Sequence, residues 1–147
     1  MREILFRAKR IDNGEWVEGW LLKDEVTGQY FIHASGNSVN ESDKVNEEGC
    51  LRFVAFEVDE NTICQYTGLT DKNGNKIWEN DVVSCGGYLV VTWKEEFASF
   101  CLSKKGWMYQ HFFGEAVNGC DCKVIGNIFD NTDLMTEKPV IRMLQGF

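Results

Sequence analysis

The sequence predicts a mainly β protein, and three observations support this. The 147 residues include one proline and 14 glycines, a balance that suits strands joined by tight turns. Aromatic residues make up 13% of the chain and recur with β-branched residues in short runs. Runs such as "DNG", "KNG" and "CGG" lie between them and are typical of turns. Several short strands joined by small loops indicate a small barrel or a sandwich.

The N-terminal part, residues 1–50, begins with a predicted hairpin. Alternation over Leu5–Ile11 indicates a first strand, and Asp12–Gly14 is a type I′ or bulged turn signal. The run "EWVEGWLL" then places Trp16, Glu18 and Trp20 on one face of a second strand. A third strand is predicted in "TGQYFIHA".

Residues 35–49 are polar and acidic and contain few large apolar side chains. Such a composition predicts a surface loop and marks the best internal boundary. The second part, 51–134, is predicted to be a small β-barrel packed closely with the first as one unit. A tail at 135–147 follows, and Thr132 is a candidate N-cap for a short helix that Pro139 limits.

The second part contains six further strand candidates. They lie in "LRFVAFEV", "TICQYTGL", three segments of "DVVSCGGYLVVTWKEEFASFCL", and "KVIGNIFDN". The run "KGWMYQHFFGEAV" fits either a strand or one or two helical turns. Residues Asp81–Phe129 resemble the pattern of an SH3-like barrel, with an acidic turn, a β-branched strand, a Gly-centred turn and aromatic strands.

The formal net charge of −8 disfavours direct nucleic-acid binding, because that binding draws on Lys and Arg displacing counterions from phosphates. Arg7, Lys9 and Arg10 form the one tight basic group, and Asp12 and Glu15 follow directly. An acidic protein can instead mimic DNA, but the carboxylates here are dispersed rather than in rows. Solubility is the simplest reason for the acidity.

The absence of a membrane span and of a signal peptide predicts a cytoplasmic protein of the bacterial host cell. No apolar run approaches the ~20 residues of a membrane span, and the N-terminus lacks the apolar core of a signal peptide. The six cysteines are therefore expected to be free thiols in a reducing compartment.

The cysteine pattern argues against a zinc site. Structural zinc ligands come as two close pairs, and only Cys120 and Cys122 are paired here, with one residue between them. Metal analysis of the protein would decide whether they bind metal. Cys64, Cys85 and Cys101 lie in apolar runs and are expected to be small buried hydrophobes.

No catalytic group is predicted, so the chain is not expected to be an enzyme. His33 and His111 are isolated, and nothing in the sequence places either beside a cysteine. Glu79 and Asp81 are paired carboxylates, but a second turn explains them better than acid–base catalysis. Phosphate-binding glycine motifs and metalloprotease motifs are absent, and no cofactor site is predicted.

The run "QYTGLTDKNGNKIWENDVV" has the oxygen ligands of a calcium loop but the wrong order. Counted from Asp71, Asn73 and Asn75 fit the third and fifth positions of an EF-hand. The sixth position is Lys76 rather than glycine, the twelfth is Val82, and flanking helices are missing. The metal site is therefore rejected.

A hairpin followed by a second turn explains the same run. Asn73-Gly74 is a strong hairpin signal because both residues tolerate positive φ, and Asp71 can accept backbone N–H bonds at the turn entry. Asn80 stands where a left-handed residue is expected. If the run is functional, its exposed tip is the candidate contact surface, which comprises Lys72, Asn73, Gly74, Asn75 and Lys76.

These motifs resemble the YopX family, small proteins found mostly in bacteriophages and prophages. The matching pieces, in order, are Phe6-Arg7-Ala8, Gln65-Tyr66-Thr67-Gly68-Leu69, Asp71-Lys72-Asn73-Gly74, Glu79-Asn80-Asp81-Val82-Val83 and Val124-Ile125-Gly126-Asn127-Ile128-Phe129-Asp130-Asn131. One departure is Asn80, where the family usually has glycine. The resemblance implies an all-β pseudo-barrel of mobile-element origin and supplies no catalytic residues.

The function expected from this reading is a non-enzymatic phage accessory protein that binds a host or phage protein or associates with itself. The absence of catalytic motifs supports it, and so does the density of tryptophan, although most of these side chains should be core. They are Trp16, Trp20, Trp78, Trp93 and Trp107. The alternative is a nucleic-acid-linked role, either as an oligonucleotide-binding barrel or as an acidic DNA mimic.

Overall fold

The computed structural model describes residues 3–34, 54–84, 87–104, 107–112 and 122–135, with 107–112 described as backbone. These residues form two antiparallel sheets, which confirms the prediction of a mainly β protein. The strands are β1 (Phe6–Lys9), β2 (Trp16–Lys23), β3 (Tyr30–Ala34), β4 (Ala55–Val58), β5 (Cys64–Thr70), β6 (Lys76–Trp78), β7 (Asp81–Ser84), β8 (Tyr88–Lys94), β9 (Ser99–Lys104), β10 (Trp107–Phe112) and β11 (Lys123–Asn127).

The chain divides into two compact units, Met1–Gly68 and Leu69–Phe147. The sequence-based division into 1–50 and 51–134 stays a prediction. The polar loop at 35–49, and the tail beyond residue 135, lie outside the described residues.

The first unit holds the order β4-β3-β2-β1-β5. The predicted β1–β2 hairpin is confirmed, with Ala8 opposite Val17 in the register. Alternation sends one face of these strands inward, where Ala8, Val17, Ile32 and Val58 are each at most 3% exposed. This cluster is the core of the unit.

The sheet of the first unit rolls back on itself. Past the end of β1, Arg10 forms an antiparallel bridge with Val58 of β4. The backbone N–H of Ile11 also donates to the carbonyl of Glu57 at 3.0 Å. Strand β4 is thus bonded on both sides, by β3 and by the continuation of β1. Barrel-like curling therefore occurs here, in the N-terminal part of the chain.

In the second unit, β5 continues past Gly68 to pair with β6, and a five-stranded sheet has the order β10-β9-β8-β7-β11. The core of the unit is formed by five side chains that are buried together, Ile77, Val83, Leu89, Val91 and Leu102. This sheet is open in its order, with β10 and β11 at the ends. The SH3-like pattern of this region stays a prediction.

Two smaller predictions are resolved by the described residues. The run "KGWMYQHFFGEAV", left open between strand and helix, contains strand β10. The short helix near the C-terminus is a 3-10 turn over Thr132–Met135, so Thr132 opens it rather than capping it. The carbonyl of Asn131 accepts the N–H of Leu134, and Pro139 lies outside the described residues. Nowhere in the described ranges is there a helix with the length and apolar character of a membrane span.

Candidate functional site

The hairpin between β5 and β6 has a three-residue loop. The N–H of Gly74 donates to the carbonyl of Asp71 at 3.0 Å, and the N–H of Asp71 donates to the carbonyl of Asn75 at 2.8 Å. Gly74 has φ of 83°, whereas Asn73 does not have positive φ. The loop is therefore a tight turn followed by one left-handed residue, rather than a two-residue turn with both residues left-handed.

The Asp71 carboxylate is the centre of this loop and is saturated by N–H donors. Its Oδ1 accepts from the backbone of Asn73 at 2.9 Å and of Asn75 at 2.8 Å. Its Oδ2 accepts from the backbone of Val124 at 3.0 Å and from the Asn75 side chain at 3.3 Å. The predicted role of Asp71 as a turn residue that accepts backbone N–H bonds is confirmed.

The pKa of Asp71 follows from these contacts. Burial acts to raise it, because the residue is only 6% exposed. The N–H donors of Val124, Asn75 and Asn73 outweigh burial and hold the pKa below its usual value. An ionised carboxylate with four donors has its lone pairs directed at protein N–H groups, which suits a structural clasp rather than a cation ligand.

This clasp ties the hairpin to a distant strand. Val124 belongs to β11, and the N–H of Lys72 donates to the carbonyl of Cys122 just before that strand, at 3.3 Å. Cys122 is 1% exposed and disulfide-bonded, so the prediction of six free thiols is wrong at this residue. A sulfur held in a disulfide is not a thiolate ligand for zinc.

The second turn of the run is held by Asp81, which is 1% exposed. Its Oδ2 accepts the backbone N–H of Trp78 at 2.8 Å. Asn80 has φ of 70°, which confirms its predicted left-handed conformation. The N–H of Asn80 donates to the carbonyl of Val91 at 2.7 Å, and its carbonyl accepts the N–H of Ile128 at 3.1 Å. The turn thus links β8 to the segment after β11.

The run after β11 is a third turn built from side-chain amides. Asn127 Oδ1 accepts the N–H groups of Phe129 and Asp130 at 3.0 and 2.9 Å. Asn131 Oδ1 accepts the N–H of Asn127 at 3.1 Å. Gly126 leaves room for that side chain, because a Cβ there would lie 2.3 Å from Asn131 Oδ1. These motif residues therefore form a network of turn caps.

The described cysteines and histidines with known surroundings include Cys64, Cys101 and His33. Cys64 and Cys101 are buried thiols, as predicted, while Cys85 and the side chain of His111 lie outside the described residues. His33 stacks on Trp20, with ring centroids 5.7 Å apart. Across the described ranges there is no group of three or more His, Cys, Asp or Glu side chains that could hold a metal ion.

The predicted contact surface, the hairpin tip Lys72–Lys76, is accessible. Lys72, Asn73, Gly74 and Asn75 are exposed, and Lys76 is half-buried. The structure places all five residues on one loop, and their role in contacting a partner stays a prediction.

A second accessible surface was missed by the sequence analysis. It lies on the outward side of β2 and β3 and consists of Trp16, Trp20, Leu22, Phe31 and His33, termed here the aromatic face. In the register, Trp20 lies opposite His33 and Leu22 opposite Phe31. Trp20 is 57% exposed and Leu22 52% exposed.

Tryptophan burial differs from the expectation that most of these residues are core. Trp78 is buried at 3% exposure, but Trp93 is 40% exposed and Trp20 more so. Trp16 is half-buried, with the guanidinium carbon of Arg7 4.6 Å from its ring centroid. The alternation in "EWVEGWLL" had separated the two faces of β2 but did not say which face the core would take.

Comparison with known proteins covers most of the chain. The sequence model of the family described as YopX protein matches residues 5–136. The fold is similar to the crystal structure of protein EF1440 from Enterococcus faecalis, at a TM-score of 0.60 and 21% identity over 92% of this chain and 100% of that chain. At that identity the likeness concerns the fold alone. No curated protein matches the chain.

Proposed function

Because this chain belongs to the YopX family, we propose that it is a phage- or prophage-encoded accessory protein that acts by binding a protein rather than by catalysis. Its partner is a host protein, a phage protein or a second copy of itself. The polar residues of its motifs support this reading. The side-chain oxygens of Asp71, Asp81 and Asn127 accept hydrogen bonds from backbone N–H groups and so stabilise turns.

The aromatic face is the observation that carries the proposal. Trp20 and Leu22 stand two residues apart on β2, so both project from the same side of the sheet. Each is more than half exposed, and burying such area against a partner is favourable at about 25 cal/mol per Å². Tryptophan is also enriched among the few residues that dominate protein interfaces.

The test uses tagged wild-type protein and the variant Trp20→Ala as baits in a bacterial host lysate. A tryptophan anchor of this kind contributes about 2 kcal/mol or more, so Trp20→Ala should weaken binding of a captured partner about 30-fold. Size-exclusion chromatography with light scattering, run over a range of concentrations, tests self-association with the same two proteins.

The matched control is Val26→Ala on the turn after β2, where the side chain is 94% exposed. Both variants should keep the thermal stability of the wild type. If Trp20→Ala binds each captured partner as tightly as the wild type does, and no self-association occurs, the aromatic face is not the binding surface.

The hairpin tip is the second surface to which protein binding is proposed. The charge reversals Lys72→Glu and Lys76→Glu test the hairpin tip independently of the aromatic face. Charged residues at the edge of an interface act mainly on the association rate. We therefore expect both charge reversals to slow association with the partner, by an amount that depends on salt concentration. Unchanged association rates would remove the tip from the proposal.

A nucleic-acid-linked role is the second candidate, and the aromatic face supports it too. The guanidinium carbon of Arg7 and Nζ of Lys9 lie over the Trp16 ring, at 4.6 and 5.5 Å from its centroid. Trp20 and His33 are stacked on the same side of the sheet. Aromatic platforms with nearby cations are how single-strand binders hold bases. The net charge of −8 opposes direct binding to nucleic acid, whereas it is compatible with an acidic DNA mimic.

Filter binding to single- and double-stranded oligonucleotides at low salt decides between direct binding and its absence. Quenching of Trp20 fluorescence on adding a single strand would support stacking, and Trp20→Ala should abolish that signal. Retention of neither oligonucleotide by the wild-type protein would eliminate direct binding.

The proposed place of action is the cytoplasm of a bacterial host cell. The disulfide at Cys122 argues against the cytoplasm, because disulfides are rare in reducing compartments. Thiol labelling of the protein from intact cells, followed by mass spectrometry, tests it. Because Cys122 is 1% exposed, the label is added under denaturing conditions. A free thiol at Cys122 would support the cytoplasm, and a disulfide there would argue for an oxidising compartment.

A further inference from the structure

Two exposed Asn-Gly pairs occupy hairpin turns that share a left-handed glycine but differ in loop length. Gly74 and Gly14 have φ of 83° and 72°. The N–H of Gly74 donates to the carbonyl of Asp71, and that of Gly14 to the carbonyl of Arg10, each at 3.0 Å. The preceding residues, Asn73 and Asn13, are both exposed. The two asparagines can therefore be compared within one protein, in a four-residue loop at Asn13 and a three-residue loop at Asn73.

The side chains of the two asparagines differ. Asn13 is held at both ends, since its Oδ1 accepts the N–H of Glu15 at 2.9 Å and its Nδ2 donates to the Glu15 carboxylate at 3.3 Å. The Asn73 side chain makes no hydrogen bond in the part of the chain that the structure describes. Only its backbone N–H is engaged, by Asp71 Oδ1 at 2.9 Å.

We propose that Asn73 is a site of spontaneous deamidation and that Asn13 is protected from it. The backbone nitrogen of Gly74 loses its proton and bonds to Cγ of Asn73, and the side-chain amide nitrogen leaves as ammonia. Water then opens the resulting five-membered imide at either of its carbonyls. The products are aspartate or isoaspartate, and no oxidant or reductant takes part.

The hydrogen bonds of the side chain, rather than the following glycine, favour this reaction at Asn73. Gly74 and Gly14 both lack a Cβ and both lie in open space, so the two sites are alike in this respect. Rotation of the Asn73 side chain toward that nitrogen breaks no hydrogen bond, whereas Asn13 must give up both of its bonds to Glu15.

The product changes the hairpin tip in two ways. A carboxylate replaces a neutral amide between Lys72 and Lys76, so the charge of the loop falls by one. In isoaspartate the main chain passes through the side chain, which lengthens a three-residue loop and displaces Gly74 from the Asp71 carbonyl. The modification itself does not depend on the proposed function. Only an effect on partner binding at the tip rests on it.

The test is incubation of the native protein at mildly alkaline pH, with samples taken over weeks and mapped by mass spectrometry. Digestion with Glu-C is preferable, because trypsin cuts at Lys72 and Lys76 on either side of the site. Fragment spectra must resolve each residue, since the peptide between Glu60 and Glu79 also contains Asn61 and Asn75. We expect Asn73 to convert at least about five-fold faster than Asn13, the factor one ordinary hydrogen bond contributes.

Two variants make the comparison specific. Glu15→Ala removes the acceptor of the Asn13 amide and should speed conversion at Asn13, while leaving Asn73 unchanged. Asn73→Gln should remove the modification from the tip. The proposal is overturned if Asn13 converts as fast as Asn73. It is equally overturned if Asn73 stays an amide in the folded protein while a synthetic peptide covering 69–79 converts, because the turn would then be protective.

Discussion

Replacing Asp71 with asparagine tests whether the clasp holds the second unit together. The variant Asp71→Asn keeps the shape of the side chain and exchanges one carboxylate oxygen for an NH2 group. If the remaining oxygen serves the N–H groups of Asn73 and Asn75, the NH2 group faces the N–H of Val124. Two donors then oppose each other across 3.0 Å, and a bond spanning the unit is lost.

The expected loss can be worked from these contacts. A hydrogen bond to a charged acceptor contributes about 1.5–3 kcal/mol, and leaving a buried donor unsatisfied costs about 1–3 kcal/mol. The N–H groups of Asn73 and Asn75 lie on an exposed loop and keep an acceptor or gain water. We therefore expect the free energy of unfolding to fall by about 2–4 kcal/mol, with the melting temperature lower by about 5–15 °C.

The effect should depend on pH in a definite direction. Burial alone would raise the pKa of Asp71, but its N–H donors lower it below the ordinary value of 3.8. A carboxyl whose folded pKa is lowered stabilises the protein fully above its unfolded pKa, and this contribution is lost as pH falls through the folded pKa. The gap between wild type and Asp71→Asn should therefore be constant at neutral pH and close below about pH 4.

The assay is urea unfolding at a series of pH values, followed by the fluorescence of the five tryptophans. Asp24→Asn is the control. Asp24 accepts the N–H groups of Val26 and Thr27 at a turn of the first unit, and its pKa is likewise lowered, chiefly by Val26. Its effect should be smaller, because water replaces those contacts. Equal stability of Asp71→Asn and wild type at neutral pH, or a gap that persists in acid, would refute the reasoning.

Three further substitutions test the turns. Gly126→Ala should lower the free energy of unfolding by about 1–3 kcal/mol, because its Cβ meets Asn131 Oδ1 at 2.3 Å; calorimetry showing no loss would mean the third turn is loose. Asn80→Ala should be about 1–2 kcal/mol less stable than Asn80→Gly, since φ is 70° there; equal urea midpoints would contradict this. Gly74→Val puts a branched side chain at φ of 83° and should lower the melting temperature. An unchanged melting temperature would contradict the turn assigned to Gly74.

Much of the fold was predictable because it depends on local chemistry. The β1–β2 hairpin follows from alternation and a turn signal, and Asn80 is left-handed because asparagine tolerates that region. Asp71 was predictable as a turn residue for the same reason, since Asn73 and Asn75 lie within four residues. Local bonds of this kind are encoded by neighbours in sequence.

Long-range features could not be predicted in this way. Asp71 also accepts the backbone N–H of Val124, which is 53 residues away. No sequence pattern near either residue predicts this contact. The aromatic face was missed because both sides of β2 carry large apolar residues. Periodicity separates Val17 from Trp16 and Trp20, but tertiary packing decides which side is buried.

The double bonding of β4 limits how this protein can meet others. A strand at the end of a sheet normally offers a row of backbone groups on which another chain can add a strand. Here that row is occupied by the chain itself, through Arg10 and Ile11. The edge of β11 is similarly covered where Asp71 and Lys72 bond to it and to the residue before it. These bonds leave fewer backbone groups for an added strand at β4 and at the start of β11, which lessens edge-to-edge aggregation at both places.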